Sequence, residues 1–282
     1  MEIYQRLNRD KDGLKLAVKA HWEAEPCESR AGKSLQDRRR YFQEIDAYRY
    51  EKSPFIPGFA KFAQGHNRRV LEVGLGSGSD FLRWAQSGAR LWGRDLTEAS
   101  VRLVQERLAL EALQAEVAVG DVERLEFPDN FFDIVYAYGV IHHTPDTPRA
   151  VREIHRVLKP GGVARVMIYH ARGLTVFYQW VLFALLKMQP WRSPRDIFFH
   201  HNESPGTKLY TKAEARRLFS CFRAMDIRTL VDAGDTFNFE LSPRYRRVAL
   251  IRQLHRTLAF FRHFQKVLPS GLGTTMLIEA VK

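Results

Sequence analysis

The sequence predicts an α/β fold with a mostly parallel sheet and helices on both faces. Three observations support this prediction. Short apolar runs alternate with amphipathic stretches between residues 68 and 170, three glycines crowd into residues 74–78 straight after the first run, and acidic residues, Asp95 and Asp121, end the next two runs. Strand and helix patterns that alternate at this spacing are typical of parallel sheets covered by helices.

Each predicted strand is a short apolar run, and each predicted helix repeats its apolar residues at intervals of three and four. The strands are predicted at residues 70–73, 90–94, 116–119, 132–138, 163–169, 224–230 and 274–281. The helices are predicted at residues 80–86, 98–110, 145–158 and 244–268, with a further helix that begins after Thr211. Glu214 follows Thr211 by three residues, which is the spacing of a capping box.

We expect one domain made of four segments. Residues 1–62, rich in aromatics and arginine, form an N-terminal helical cap, and residues 63–170 form the core. The strand–helix alternation stops at residues 171–208, which we interpret as a lid insertion. Residues 209–282 complete the sheet and carry a helical insertion at residues 231–273.

Composition excludes several classes of protein. The chain has 282 residues, 45% of them hydrophobic, and only two cysteines, Cys27 and Cys221, which form neither a disulfide framework nor a zinc site. The longest uncharged apolar run, residues 173–186, is shorter than the roughly 20 residues of a membrane span. We therefore expect a cytoplasmic protein without a secretory signal, and peripheral contact with a membrane stays open.

The positive charge is concentrated in the second half of the chain. The net charge is +12, and residues 171–270 alone contain 17 Lys and Arg against 7 Asp and Glu. Such a field favours an anionic partner, either a nucleic acid, an acidic membrane or an acidic substrate. A solvated basic face is the alternative interpretation.

The glycine-rich stretch predicts a nucleoside ligand. Glycines between a strand and a helix let backbone amides approach a ligand closely, but Glu72 before them would repel a pyrophosphate and suits a cationic group. Asp95 at the next strand end can accept ribose hydroxyls, and Asp121 can face the amino edge of an adenine. The spacing G-x-G-x-G at residues 74–78 also disfavours a dinucleotide site.

These motifs together resemble class I S-adenosylmethionine-dependent methyltransferases, in appearance the ubiquinone/menaquinone-biosynthesis-like subgroup. The resemblance rests on five ordered motifs, at residues 72–78, 95, 120–123, 131–135 and 158–162. It implies a Rossmann-like sheet of seven strands, the seventh antiparallel, with S-adenosylmethionine over the strand ends. The residues that it assigns to the cofactor are Glu72, Gly74, Gly76, Gly78, Asp95, Leu96, Asp121, Val122 and Tyr138.

The turn after the fourth strand supplies the candidate bases. Methyl transfer needs a base only where the acceptor must lose a proton, and histidine titrates in the right range. His143 is our first candidate and His142 the second, although such turns often only fix the loop before the following helix. We expect no metal.

The acceptor is expected to be a small molecule, either lipophilic and aromatic or acidic. Its predicted contacts are Arg49, Tyr169, His200, His201 and Tyr210. Nucleic acid is disfavoured because the aromatics of the basic second half lie mostly on an apolar stripe. We infer no obligate protein partner. RNA methylation and non-catalytic cofactor binding remain the alternative functions.

Overall fold

The computed structural model describes residues 10–232, 235, 253 and 269–282. The predicted helix at residues 244–268 therefore lies outside the described residues except for residue 253, and most of the predicted insertion at residues 231–273 does so too.

The described strands form one sheet that runs through the whole core. In spatial order the main strands are β3, β2, β1, β4, β5, β8 and β7, and β6 pairs with β5 beside this path. β8 is antiparallel to both of its neighbours, and the other pairs are parallel. The strand bounds are β1 Arg69–Val73, β2 Arg90–Asp95, β3 Glu116–Val119, β4 Phe132–Tyr138, β5 Leu158–His170, β6 Leu209–Tyr210, β7 Ala224–Leu230 and β8 Thr275–Val281.

The fold class is confirmed, with one correction to the strand count. The sheet has eight described strands rather than the predicted seven. The additional strand, β6, has only two residues, which pair with Tyr169 and His170 where the chain returns from the lid segment. Two residues are too few to show an alternating pattern, so this strand could not be predicted from its apolar pattern.

Helices cover both faces of the sheet, and the alternation of strand side chains decides which helix packs where. The helix bounds are α1 Lys11–Ala24, α2 Arg38–Lys52, α3 Ile56–Ala60, α4 Ser79–Gln86, α5 Glu98–Leu110, α6 Thr147–Val157, α7 Leu174–Phe183, α8 Pro194–His201 and α9 Lys212–Leu218. Leu71 and Val135 point to the face covered by α6, whereas Val70 and Ile134 point to the face covered by α4 and α5.

Helix starts follow capping chemistry. Thr97 accepts the amide of Ser100 at the start of α5, and Asp146 accepts the amide of Arg149 at the start of α6. The capping box predicted at Thr211 and Glu214 is formed at the start of α9. Across the described parts of the chain, every helix is too short or too polar to cross a bilayer.

Candidate functional site

The carboxyl ends of β1 to β5 meet at one edge of the sheet, where the structure has a cavity of about 290 Å³. Loops after these strands form its floor, and α1, α2 and the segment between them form its roof. The cavity therefore lies where parallel α/β sheets usually bind ligands. Nine predicted cofactor residues line it, namely Glu72, Gly74, Gly76, Gly78, Asp95, Leu96, Asp121, Val122 and Tyr138.

The three glycines of the first loop adopt backbone conformations that other residues rarely adopt. Gly74, Gly76 and Gly78 have φ angles of 73°, 53° and 80°. A Cβ on Gly74 would lie 2.1 Å from the Val140 side chain, and one on Gly78 would lie 2.7 Å from Val104. The loop is thus packed closely against protein on one side and open to the cavity on the other.

Asp95 holds the glycine loop in place. Its Oδ2 accepts the amides of Leu75 and Gly76 at 2.7 and 3.3 Å, and its Oδ1 accepts the amide and hydroxyl of Thr97 at 2.9 and 2.7 Å. Burial raises the pKa of Asp95, although these hydrogen bonds oppose the shift. A ribose at Asp95 would share these oxygens with the loop amides.

Glu72 is a buried carboxyl at the base of the cavity. Its Oε2 has no hydrogen-bond partner within the described structure, and the residue is only 3% exposed. Burial raises the pKa of Glu72 well above its usual range, and repulsion by Asp80 and Asp95 adds to the shift, while Arg49 opposes it. A buried acceptor without a donor is costly, so this position is suited to a ligand that donates hydrogen bonds.

The third-strand loop is tied to the N-terminal helix. Lys15 of α1 donates to Asp121 at 2.6 Å and to Glu123 at 2.5 Å. Burial alone would lower the pKa of Lys15, but the two carboxylates outweigh it and the pKa is raised. Asp121 also accepts the Glu123 amide at 2.9 Å. Because Lys15 contacts both carboxylates, α1 lies beside Asp121, the residue predicted to face the adenine.

Arg49, predicted to contact a carboxylate of the acceptor, pairs with carboxylates of the protein. It donates to Asp80 at 2.9 and 2.5 Å and to Glu28 at 3.0 Å. Its guanidinium also lies 5.0 Å from the ring centre of Tyr138. Asp80 lies in the first turn of α4, just after the glycine loop, and accepts the Tyr136 hydroxyl at 2.7 Å, so this network joins α2 to the loop.

His143 faces the cavity within a polar cluster. Its Nε2 lies 3.5 Å from Glu203 Oε2, and its Nδ1 lies 2.8 Å from the hydroxyl of Ser204 and 3.1 Å from that of Thr207. Tyr169 donates to the other oxygen of Glu203 at 2.7 Å. Burial alone would raise the pKa of Glu203, but His143 and Tyr169 outweigh it and the pKa is lowered. Hydroxyl groups thus position the ring at Nδ1, and a carboxylate lies beside Nε2.

Ligating atoms of His142, His143 and Glu203 lie within 4.8 Å of one another. Donors bound to one zinc ion lie about 3.3 Å apart, since each is about 2.0–2.2 Å from the metal. The value of 4.8 Å is an upper limit, and His143 Nε2 lies 3.5 Å from Glu203 Oε2. The structure describes this cluster by the hydrogen bonds around His143. The prediction of no metal stays a prediction.

Four other predicted site residues do not line the cavity. His142 is fully buried behind it, where burial lowers its pKa well below the usual range and neither ring nitrogen has a partner in the described structure. His200 lies 3.4 Å from Asp196 on its own helix, and His201 stacks on Phe183. Tyr210 packs against the core on the α6 side.

The cavity also contains residues that the sequence reasoning did not assign to it. Glu203 and Cys27 both line it, although neither is among the predicted site residues. Cys27 lies against Gly76, where a Cβ on the glycine would be 3.1 Å from the Cβ of Cys27. Further lining residues outside the predicted set include Lys15, Val18, Trp22, Met167 and Phe198.

Comparison with known proteins identifies the core segment. Residues 71–166 match the family described as "Methyltransferase domain". A ubiquinone/menaquinone biosynthesis C-methyltransferase of Cupriavidus metallidurans is 31% identical over 133 residues, which are 45% of this chain and 54% of that protein. A phthiotriol/phenolphthiotriol dimycocerosates methyltransferase of Mycobacterium leprae is 40% identical over 97 residues, 34% of this chain and 35% of that one. The chain thus spans about half the length of the first of these curated relatives.

Solved structures share the fold along most of the chain. An S-adenosylmethionine-dependent methyltransferase from Mesorhizobium loti superposes with a TM-score of 0.52 at 15% identity, covering 82% of this chain and 99% of that one. The [4+2]-cyclase SpnF superposes with a TM-score of 0.51 at 17% identity, covering 99% and 95%. Likeness at these identities shows the fold alone, and the cyclase illustrates that the fold does not fix the reaction.

Proposed function

We propose that this chain transfers a methyl group from S-adenosylmethionine to a small lipophilic acceptor, and the match of residues 71–166 to a methyltransferase domain supports this proposal. The observation that carries the proposal is the cavity at the carboxyl edge, which combines the glycine loop with the unpartnered carboxyl of Glu72. The sulfonium cofactor, when bound, supplies an electrophilic methyl group.

The residues that line the cavity fit this cofactor. Glu72 has a buried oxygen without a donor, which suits the ammonium of the methionine part. The backbone of Gly76 is open to the same space and accommodates that part without a side chain in the way. We assign Asp95 to the ribose, and Asp121 with Val122 to the adenine.

We assign the role of general base to His143. In this proposal Nε2 takes the proton of an acceptor hydroxyl, while Nδ1–H is donated to the hydroxyl of Ser204. Glu203, beside Nε2 at 3.5 Å, stabilises the imidazolium that forms, and Tyr169 fixes the orientation of Glu203. His142 is not given a role, because its ring lies behind the cavity wall and burial lowers its pKa.

A lipophilic acceptor is supported by the walls of the cavity and by the relatives. Val18, Trp22, Met167 and Phe198 are apolar side chains that line the cavity. Both relatives are named for lipophilic compounds, ubiquinone and menaquinone in one case and phthiotriol dimycocerosates in the other. Apolar walls with a few convergent polar groups are typical of sites for such molecules.

The test is methyl incorporation from isotopically labelled S-adenosylmethionine into three separate fractions: membrane lipids, water-soluble metabolites and total RNA. We expect label in the lipid fraction, and calorimetry should detect uptake of the cofactor and of its demethylated product. Label in RNA alone would assign the chain to the alternative enzyme class. Cofactor uptake without label in any fraction would favour a non-catalytic role.

The variant His143→Ala tests whether His143 acts in the reaction rather than in cofactor binding. Because His143 is not assigned to the cofactor, we expect a loss of turnover by about 10²–10⁴-fold with cofactor affinity unchanged. Normal turnover by this variant would remove the histidine from the chemistry and leave positioning alone to account for the rate.

A further inference from the structure

Five of the ten large apolar side chains that are exposed in the described part of the chain lie within residues 177–191. They begin on α7 and continue through the turn that follows it. We name this set the apolar tip: Phe177, Leu185, Leu186, Met188 and Trp191. Met188 and Trp191 are about four-fifths exposed, at 80% and 77%. Clustered exposure of this kind on a soluble chain marks an interaction surface.

The backbone of the apolar tip is well organised. The amide of Gln189 donates to the carbonyl of Ala184 at 2.8 Å, and that of Met188 donates to Leu185 at 3.0 Å. The indole of Trp180 donates to the carbonyl of Arg192 at 2.8 Å, which closes the turn back onto α7. The apolar side chains are therefore held outward by a hydrogen-bonded turn.

Charge complements the apolar side chains. Residues 171–195 contain four Lys and Arg and no Asp or Glu. Arg192 pairs with Asp196 and Arg195 with Glu214, but Lys187 is exposed at the centre of the apolar tip. A surface that combines Trp, Leu and Met with cations and excludes acids fits the interface of an anionic bilayer.

The apolar tip is connected to the cavity. Thr175 in the first turn of α7 lines the cavity, and so does Phe198 of α8. The ten residues of α7 span about 15 Å, so the end of α7, from which the turn of the apolar tip continues, lies about that far along the helix from the cavity. A lipophilic molecule leaving a bilayer at the tip would thus have a short path to the site.

We propose that the apolar tip docks this protein onto the surface of an anionic lipid bilayer. Nucleic acid is a weaker fit, because a polyanion contacts cations and gains nothing from exposed Leu and Met side chains. Docking does not depend on methyl transfer, so it can be measured without cofactor, and its failure is distinguishable from failure of the proposed reaction.

The experiment is co-sedimentation of the full chain with vesicles of phosphatidylcholine, with and without about one third phosphatidylglycerol. We expect binding to the anionic vesicles that weakens with salt. Met188→Ser combined with Trp191→Ser should weaken it by about tenfold or more, and Lys187→Glu should weaken it on the anionic vesicles. Leu35→Ser is the matched control, because Leu35 is 69% exposed but lies outside the tip.

Circular dichroism checks that each variant is folded. Equal binding by the double variant and the wild type, or no binding by the wild type, would overturn the proposal. So would a wild-type dimer, seen by light scattering, that the double variant dissociates, because the tip would then be an interface between copies. Binding to RNA but not to vesicles would overturn it in favour of a nucleic-acid surface.

Discussion

Glu72 connects the stability of the fold to cofactor binding, and Glu72→Gln tests both. The substitution removes the charge but keeps nearly the same volume. In the structure the carboxyl is buried, lacks a donor for Oε2 and is repelled by Asp80 and Asp95. We therefore expect the variant without cofactor to be more stable than the wild type at alkaline pH.

The pH dependence follows from the direction of the shift. The pKa of Glu72 is raised in the folded protein, so above the ordinary value of 4.5 the folded state holds a proton that the unfolded state has released. The free energy of unfolding of the wild type then falls as pH rises towards the folded pKa, by at most about 1.4 kcal/mol per pH unit. Glu72→Gln lacks this contribution, so its advantage should be small at pH 5 and grow towards pH 8.

Cofactor affinity should change in the opposite direction. A hydrogen bond to a charged group contributes about 1.5–3 kcal/mol, so losing the charge opposite the ammonium should weaken binding by about 10–100-fold. Urea unfolding at three pH values measures the first effect, and calorimetry measures the second. Glu98→Gln is the control, because Glu98 is a solvent-exposed carboxylate away from the cavity. A pH slope identical to the wild type, or unchanged affinity, would refute the reasoning.

Three further substitutions test the loop, the base and the roof of the cavity. Gly74→Ala should destabilise by about 2–5 kcal/mol, from a left-handed φ and overpacking, and adding Val140→Ala should recover the overpacking part in urea unfolding. If Val140→Ala destabilises the Gly74→Ala variant as much as it destabilises the wild type, the overpacking explanation is wrong. Glu203→Gln should lower kcat more than it changes KM or cofactor affinity; a change in affinity alone would exclude its assigned role. Arg49→Met should destabilise by about 3 kcal/mol because Asp80 loses the cation paired with it, and Arg49→Met with Asp80→Asn should recover part of that. No recovery in the double variant would indicate that the pair is not coupled.

Helices and strands could be predicted where the spacing of apolar residues within the element itself indicates its type. The helix at residues 98–110 and the strands at residues 116–119, 132–138 and 224–230 have the predicted bounds. The strand predicted at residues 163–169 starts earlier, at Leu158, because Leu158 already pairs with Phe132 of β4. The register then shifts, so that Val163 is opposite Ile134, and Gly161 within the shifted segment has a φ of 77°. Glycine inside a strand often marks such a bulge, and the sequence pattern showed it only as a break.

Partners distant in sequence could not be predicted in the same way. Glu203 reaches His143 across 60 positions, and it does so from a backbone with a φ of 51°, which a non-glycine residue rarely adopts. The sequence shows that Arg49 is charged, but the choice between a ligand carboxylate and Asp80 depends on where α2 packs. Such residues are found only once the tertiary structure brings their segments together.

The glycine loop was predicted correctly from the sequence, but the physical explanation for its glycines was incomplete. The sequence suggested that bare backbone is needed because a ligand lies against it, yet the atoms that a Cβ on Gly74, Gly76 or Gly78 would approach belong to the protein. Two of these contacts come from the loop after β4 and from the N-terminal cap, through Val140 and Cys27. The glycines therefore let the cap and the fourth-strand loop close around the cavity, and the amides that remain on the open side are left for a ligand. Binding and closure of the site thus depend on the same three positions, so a substitution there should impair stability and cofactor affinity together, whereas Glu72→Gln should separate them.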